Sequence, residues 1–66
     1  MTGDELRRER LRINLTQKKL GEILGYTGAS ADRVVQNWEY GKSPIPKKHW
    51  RQLAELFEVP LENFIP

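Results

Sequence analysis

Glycine, asparagine and proline interrupt this chain so often that only short helices fit between them. The interruptions fall at Asn14, Gly25, Gly41 and Pro44. No alternation of polar and apolar residues typical of a strand competes with the helical spacing between them. Because helices of about ten residues are too short for a long coiled-coil seam, the sequence predicts an all-α fold, a compact bundle of about five short helices.

The chain has 66 residues without a linker, repeat or low-complexity stretch, so we predict a single domain over residues 1–66. Cysteine is absent, which excludes a disulfide framework and a thiolate metal site and is typical of a reducing compartment. No apolar run approaches the roughly 20 residues that span a bilayer, and the N-terminus is too charged for a signal peptide. We therefore expect a cytoplasmic protein that uses no metal and no cofactor.

The net charge is only +2, but the charged residues are unevenly distributed. Residues 1–19 contain six Lys or Arg and three acids, and residues 33–51 contain five Lys or Arg and one acid. Residues 20–32 and 52–66 contain acids and no Lys or Arg. Such a distribution would orient a DNA-binding protein toward phosphate, although a charged helical face that only keeps the domain soluble is the commoner cause of any one cluster.

The first helix is predicted from Gly3 to about Ile13. Thr2 and Glu5 form a capping box at its start, and Asn14 suits the left-handed conformation that ends a helix. A second helix is predicted between an N-cap at Thr16 and a stop at Gly25. It contains Gly21, which costs roughly 1 kcal/mol relative to Ala and therefore indicates close approach by another helix.

The third helix is predicted from an N-cap at Ser30 to a stop at Gly41. Helical spacing places one set of residues on its core side: Ala31, Val34, Val35 and Trp38. The opposite side carries Arg33, Gln36, Asn37 and Tyr40.

Pro46 suits the first turn of a fourth helix. We expect its core face to contain Trp50, Leu53, Ala54 and Phe57. Pro60 begins a last short turn that buries Leu61, Phe64 or Ile65. Both tryptophans lie at core spacing, so we assign them to the core and not to base stacking.

A short helix, a tight turn and a helix with a polar outer face can place side chains in the major groove of DNA. Two segments make this interpretation more specific: LTQKKLGEILG at 15–25 and VQNWEYGK at 35–42. Together they resemble the phage repressor and Cro family of helix-turn-helix regulators. The resemblance extends to Leu53-Ala54 and Val59-Pro60-Leu61, and it implies a lambda-repressor-like fold in a bacterial or phage-encoded protein that binds double-stranded DNA.

The resemblance implies that the third helix reads bases. Its base-facing positions are occupied by Asp32, Arg33, Gln36 and Asn37. Gln36 and Asn37 can pair with adenine, and Arg33 can pair with guanine. Two alternatives remain open: Arg33 can instead bind phosphate or pair near Asp32, and Asp32 can either accept from cytosine N4 or interact with the helix dipole, which we favour.

The resemblance assigns a second group of residues to contacts with the DNA backbone. Gln17, beside Thr16, lies in the first turn of the second helix, where backbone amides and the helix dipole favour an anion. Gln17 could instead be an ordinary exposed polar residue, but we favour the phosphate contact. Lys42 and Ser43 follow the recognition helix where the family holds the sugar-phosphate backbone. Lys47 and Lys48 add charge nearby, although a solvated basic loop explains these two equally well.

The family also pairs the positions of Arg10 and Glu39. We interpret this ion pair as structural, because losing one partner would leave the other charge stranded in a partly buried site.

The chain departs from the family after the second helix. Twelve residues lie between Gly25 and Trp38, about four more than the resemblance to the family implies. The surplus falls in Tyr26–Ser30 and predicts either a longer turn or an additional turn at the start of the recognition helix. Ser30 as the N-cap favours the longer turn.

We therefore expect a sequence-specific transcriptional regulator, with repression as the simplest mechanism. The chain lacks a nucleophile with a base and an orienting group, so an enzyme is not expected. The main alternative is a protein-interaction module of the same fold, such as an antitoxin that masks a toxin, or a helical adaptor. A homodimer on a palindromic site is expected, and candidate subunit contacts are Ile45, Leu61, Phe64 and Ile65.

Overall fold

The computed structural model describes all 66 residues and contains four α-helices and two 3₁₀ turns. The helices are α1 (Gly3–Arg12), α2 (Gln17–Ile23), α3 (Ala29–Glu39) and α4 (Trp50–Phe57). The 3₁₀ turns cover Lys47–His49, directly before α4, and Leu61–Phe64. The all-α class is confirmed, and the fifth predicted helix is the second 3₁₀ turn. None of the helices has the length and apolar character needed to cross a membrane.

The first two helices begin at the predicted capping residues. Thr2 Oγ1 accepts a hydrogen bond from Glu5 N at 3.2 Å, and Glu5 Oε1 accepts one from Thr2 N at 3.1 Å. The bond from the Thr2 backbone amide stabilises the carboxylate and lowers the pKa of Glu5. In α2 the Thr16 hydroxyl accepts from Lys19 N at 3.0 Å, so both helix starts are fixed by local side chains.

All four helices end in the same way. A residue with positive φ follows each helix, and the next amide donates to the carbonyl five residues earlier, which satisfies a carbonyl that the helix leaves free. The positive-φ residues are Asn14, Gly25, Gly41 and Glu58. The first three ends are those that the sequence predicts. Glu58 was not predicted, because its Cβ disfavours this conformation.

The core is one cluster to which every helix contributes. Eight buried apolar residues form it: Leu6, Leu20, Val35, Trp38, Leu53, Ala54, Phe57 and Phe64. Two side chains also join helices by bonding to the last carbonyls of a neighbour. Gln52 Nε2 donates to Ile23 O at 3.1 Å, at the end of α2, and Arg12 Nη2 donates to Phe57 O at 2.6 Å, at the end of α4.

Helices α2 and α3 pack most closely at Gly21, as its position inside a helix predicts. A Cβ at Gly21 would overlap the backbone carbonyl of Ala31, which is itself fully buried. Only glycine therefore allows α3 to lie against α2 at this distance.

The predicted N-cap at Ser30 is wrong. The N-cap of α3 is Gly28, with φ of 60° and no side-chain cap, and Ala29 and Ser30 are already helical. Gly28 takes this role because its positive φ, which side chains with a Cβ disfavour, turns the chain into the helix. The surplus residues therefore form both a five-residue connection over 24–28 and an earlier start of α3.

The C-terminal residues differ from the expectation in two respects. Trp50 is only half-buried; its Nε1 donates to Ile45 O at 2.9 Å, and its ring stacks on Phe64 with centroids 6.4 Å apart. Phe64 is buried in the core and is therefore not free for a subunit contact, whereas Leu61 and Ile65 are exposed.

Candidate nucleic-acid interface

Helix α3 has one buried side and one side that faces solvent. Ala31, Val35 and Trp38 are buried, as the helical spacing predicts. Arg33 is exposed on the opposite side, and Gln36 and Asn37 are half-buried on its two flanks. Two surface clefts adjoin this helix.

The first, which we call the turn cleft, is formed by the α2–α3 connection and one flank of α3. Its volume is about 300 Å³, and its lining residues are Tyr26, Ser30, Arg33, Val34 and Asn37. The last four lie at i, i+3, i+4 and i+7, so they share a face of the helix. The turn cleft therefore joins two predicted base-reading residues, Arg33 and Asn37.

The Tyr26 wall of the turn cleft is fixed by aromatic neighbours. Its hydroxyl hydrogen-bonds with His49 Nε2 at 2.9 Å, and its ring packs edge-on against Trp38, with centroids 6.2 Å apart. His49 is itself buried. Burial lowers the pKa of His49, and the neighbouring Lys48 charge adds to the effect, so the neutral imidazole is favoured.

The second, which we call the polar cleft, lies where α1, the start of α2 and the end of α3 meet. Its volume is about 410 Å³, and its lining residues are Arg7, Arg10, Thr16, Gln17, Glu39 and Tyr40. Two of the predicted phosphate-contacting residues, Thr16 and Gln17, therefore lie side by side in it.

A buried ion pair forms the base of the polar cleft. Arg10 Nε and Nη2 donate to the two carboxylate oxygens of Glu39 at 2.6 and 3.2 Å, and Nη1 donates to Leu15 O at 2.8 Å. Gln17 Nε2 donates to Glu39 Oε1 at 3.1 Å. The ion pair therefore holds Gln17 at the cleft, and the Gln17 amide keeps a second N–H for another partner.

The remaining predicted residues lie outside both clefts. Lys42 and Ser43 are exposed directly after α3, where their backbone amides donate to Asn37 O at 2.9 and 3.4 Å. Lys47 and Lys48 are exposed on the first 3₁₀ turn. Asp32 is half-buried in the first turn of α3.

The sequence interpretation missed several residues that line the clefts. Arg7 lies one turn before Arg10 on the same face of α1, and this spacing could have placed it in the polar cleft. Val34 was assigned to the core but is only half-buried. The contact between Tyr26 and His49 depends on tertiary packing, so no local pattern indicates it.

A protein-family model described as Helix-turn-helix matches residues 6–64. This match covers α1 through the second 3₁₀ turn, so the chain belongs to the helix-turn-helix family, of the lambda-repressor-like type. It is a family of DNA-binding regulators. No curated protein and no solved structure matches the chain significantly.

Proposed function

We propose that this chain is a sequence-specific regulator of transcription, acting as a repressor, that inserts α3 into the major groove of double-stranded DNA. The observation that carries the proposal is the exposed side of α3. Arg33 projects from it, and Gln36 and Asn37 flank Arg33 in a chain of a DNA-binding family. Such a repressor would act on DNA in the bacterial cytoplasm.

The base contacts follow from the hydrogen-bonding groups of these side chains. Arg33 donates two N–H groups to guanine O6 and N7, and the amides of Gln36 and Asn37 pair with adenine N6 and N7. Asp32 is half-buried at the start of α3, which supports a role at the helix dipole over a contact with cytosine.

The phosphate contacts come from both ends of the helix-turn-helix. Thr16 and Gln17 bind one phosphate at the polar cleft, where Arg7 and Tyr40 add a charge and a hydroxyl. A second set follows α3 and comprises Lys42, Ser43, Lys47 and Lys48. These contacts set affinity and register without reading sequence.

Two copies would bind a palindromic site whose half-sites lie about 34 Å apart. Exposed Leu61 and Ile65 support a subunit contact near the C-terminus, together with half-buried Ile45. A footprint of one half-site at saturating protein would contradict the dimer.

The test is selection of bound sites from random duplexes, followed by titration over a range of salt. Gln36→Ala should weaken binding by about 1 to 3 kcal/mol and relax preference at one base pair, whereas Lys42→Ala should weaken all sequences alike. Equal, sequence-independent losses would refute base reading by Gln36. Absence of duplex binding even at low salt would refute the DNA-binding proposal and favour a protein-interaction module.

A further inference from the structure

Val34 has a different environment from the other apolar residues of α3. Ala31 and Val35 are fully buried and Trp38 nearly so, but Val34 is half-buried and lines the turn cleft. Its neighbours in the cleft on α3 are Ser30, one turn before it, and Asn37, one turn after it. Val34 packs against the core on one side, and its partly exposed remainder lies between polar residues on the flank of the recognition helix.

We propose that Val34 is a specificity-determining residue that contacts the 5-methyl group of a thymine in the operator. The inference rests on the proposed function, because it requires α3 to lie in the major groove. Thymine presents the only apolar group on the base edges in that groove, and apolar side chains recognise it. No other half-buried apolar residue of α3 lines either cleft.

The surroundings of Val34 favour a base edge over another occupant. Arg33 lines the cleft and is exposed, so it supplies positive charge toward the DNA, and the Asn37 amide can bond to an adjacent base. The opposite wall is Tyr26, whose hydroxyl is bonded to His49 and whose ring packs on Trp38. These contacts hold the Tyr26 side of the cleft in place before DNA binds, which reduces the cost of ordering it on binding.

The test replaces each thymine of the selected half-site in turn with deoxyuridine, which lacks only the 5-methyl group. With the unchanged protein, one replacement should weaken binding about fourfold, the effect of leaving one methyl group without apolar contact. Val34→Ala should remove this sensitivity at that position, so that thymine and uracil duplexes bind equally. Val34→Thr retains one γ-methyl group and should give an intermediate ratio, which provides a second variant if alanine destabilises the fold.

Val59→Ala is the matched control, because Val59 is also a half-buried valine but lines neither cleft. It should keep the fourfold preference for thymine. The proposal is overturned if no thymine position responds to the unchanged protein, or if the preference survives in both Val34 variants. Failure of the proposed function can be told apart from failure of the Val34 proposal, since the unchanged protein would then bind no duplex at low salt.

Discussion

The turn cleft and the polar cleft adjoin the same helix but are built from different chemistry. The turn cleft is lined by apolar Val34 and a single charged residue, Arg33, and its Tyr26 wall is held by contacts with Trp38 and His49. The polar cleft is lined by two arginines and held together by the buried pair of Arg10 and Glu39. One helix therefore borders a surface suited to base edges and another suited to phosphate.

On the proposed function, the difference between the clefts would let a chain of this size separate affinity from sequence preference. Charge near phosphate strengthens binding to any sequence and makes it sensitive to salt. Shape and hydrogen-bonding groups at base edges discriminate between sequences. Changes in the polar cleft should thus act on all duplexes, and changes in the turn cleft should act on particular base pairs.

The largest effect should come from breaking the ion pair beneath the polar cleft. Glu39→Ala leaves Arg10 buried without its carboxylate and removes the acceptor that holds Gln17, so the free energy of unfolding should fall by about 3 to 5 kcal/mol. Urea denaturation measures the loss. The double variant Arg10→Met with Glu39→Met should be more stable than Glu39→Ala, because it leaves no stranded charge. If Glu39→Ala and the double variant lose the same free energy of unfolding, the stranded Arg10 charge is not the cause of the loss.

A smaller effect should distinguish the two clefts in DNA binding. Asn37→Ala should cost about 1 to 3 kcal/mol at one base pair and leave the salt dependence unchanged. Arg7→Ala should weaken all duplexes and reduce the slope of log affinity against log salt by about 1. Arg8→Ala is the control for Arg7, because Arg8 is also exposed on α1 but lies in neither cleft. If Arg7 and Arg8 behave alike, the polar cleft is not a phosphate site.

The smallest effect should be a loss of stability in mild acid that arises at the turn cleft. The pKa of His49 in the fold lies below its ordinary value of 6.5, so the unfolded chain takes up a proton before the folded one. Stability should therefore fall as the pH drops through 6.5 and level off below the folded pKa. His49 is the only histidine, so His49→Gln should lose this part of the pH dependence in urea denaturation. If the free energy of unfolding of the variant keeps the same slope against pH between about pH 5.5 and 7.5, His49 is not its source.

Local signals predicted most of the fold. Asn14, Gly25 and Gly41 end helices because each suits a positive φ, and Thr2 and Thr16 begin them because their hydroxyls reach backbone amides. Ser30 shows the limit of such signals. It is a good capping residue, but Gly28 starts the helix by backbone conformation alone, so the side-chain pattern gave the wrong start.

The candidate site was predictable where it lies within short motifs. The family resemblance pairs Arg10 with Glu39 and singles out Gln17, and the structure brings all three together. The turn cleft was not predictable, because the inserted residues around Tyr26 have no family counterpart. Their position depends on His49, which is 23 residues away in sequence. Val34 does pack against the core, as helical spacing predicts, but it is only half-buried, because spacing alone does not show how far the neighbouring turn covers it.

The side-chain bonds that cross between helix ends link the stability of α4 to that of α1 and α2. Gln52 of α4 bonds to the last residue of α2, Ile23, and Arg12 bonds to the last residue of α4, Phe57. If α4 opens and Gln52 moves away, Ile23 O of α2 loses its partner, and if α1 opens and Arg12 moves away, Phe57 O of α4 loses its partner. Because all four helices also contribute to one core, their amide protons are expected to exchange with solvent in one shared opening event, in which the recognition helix takes part.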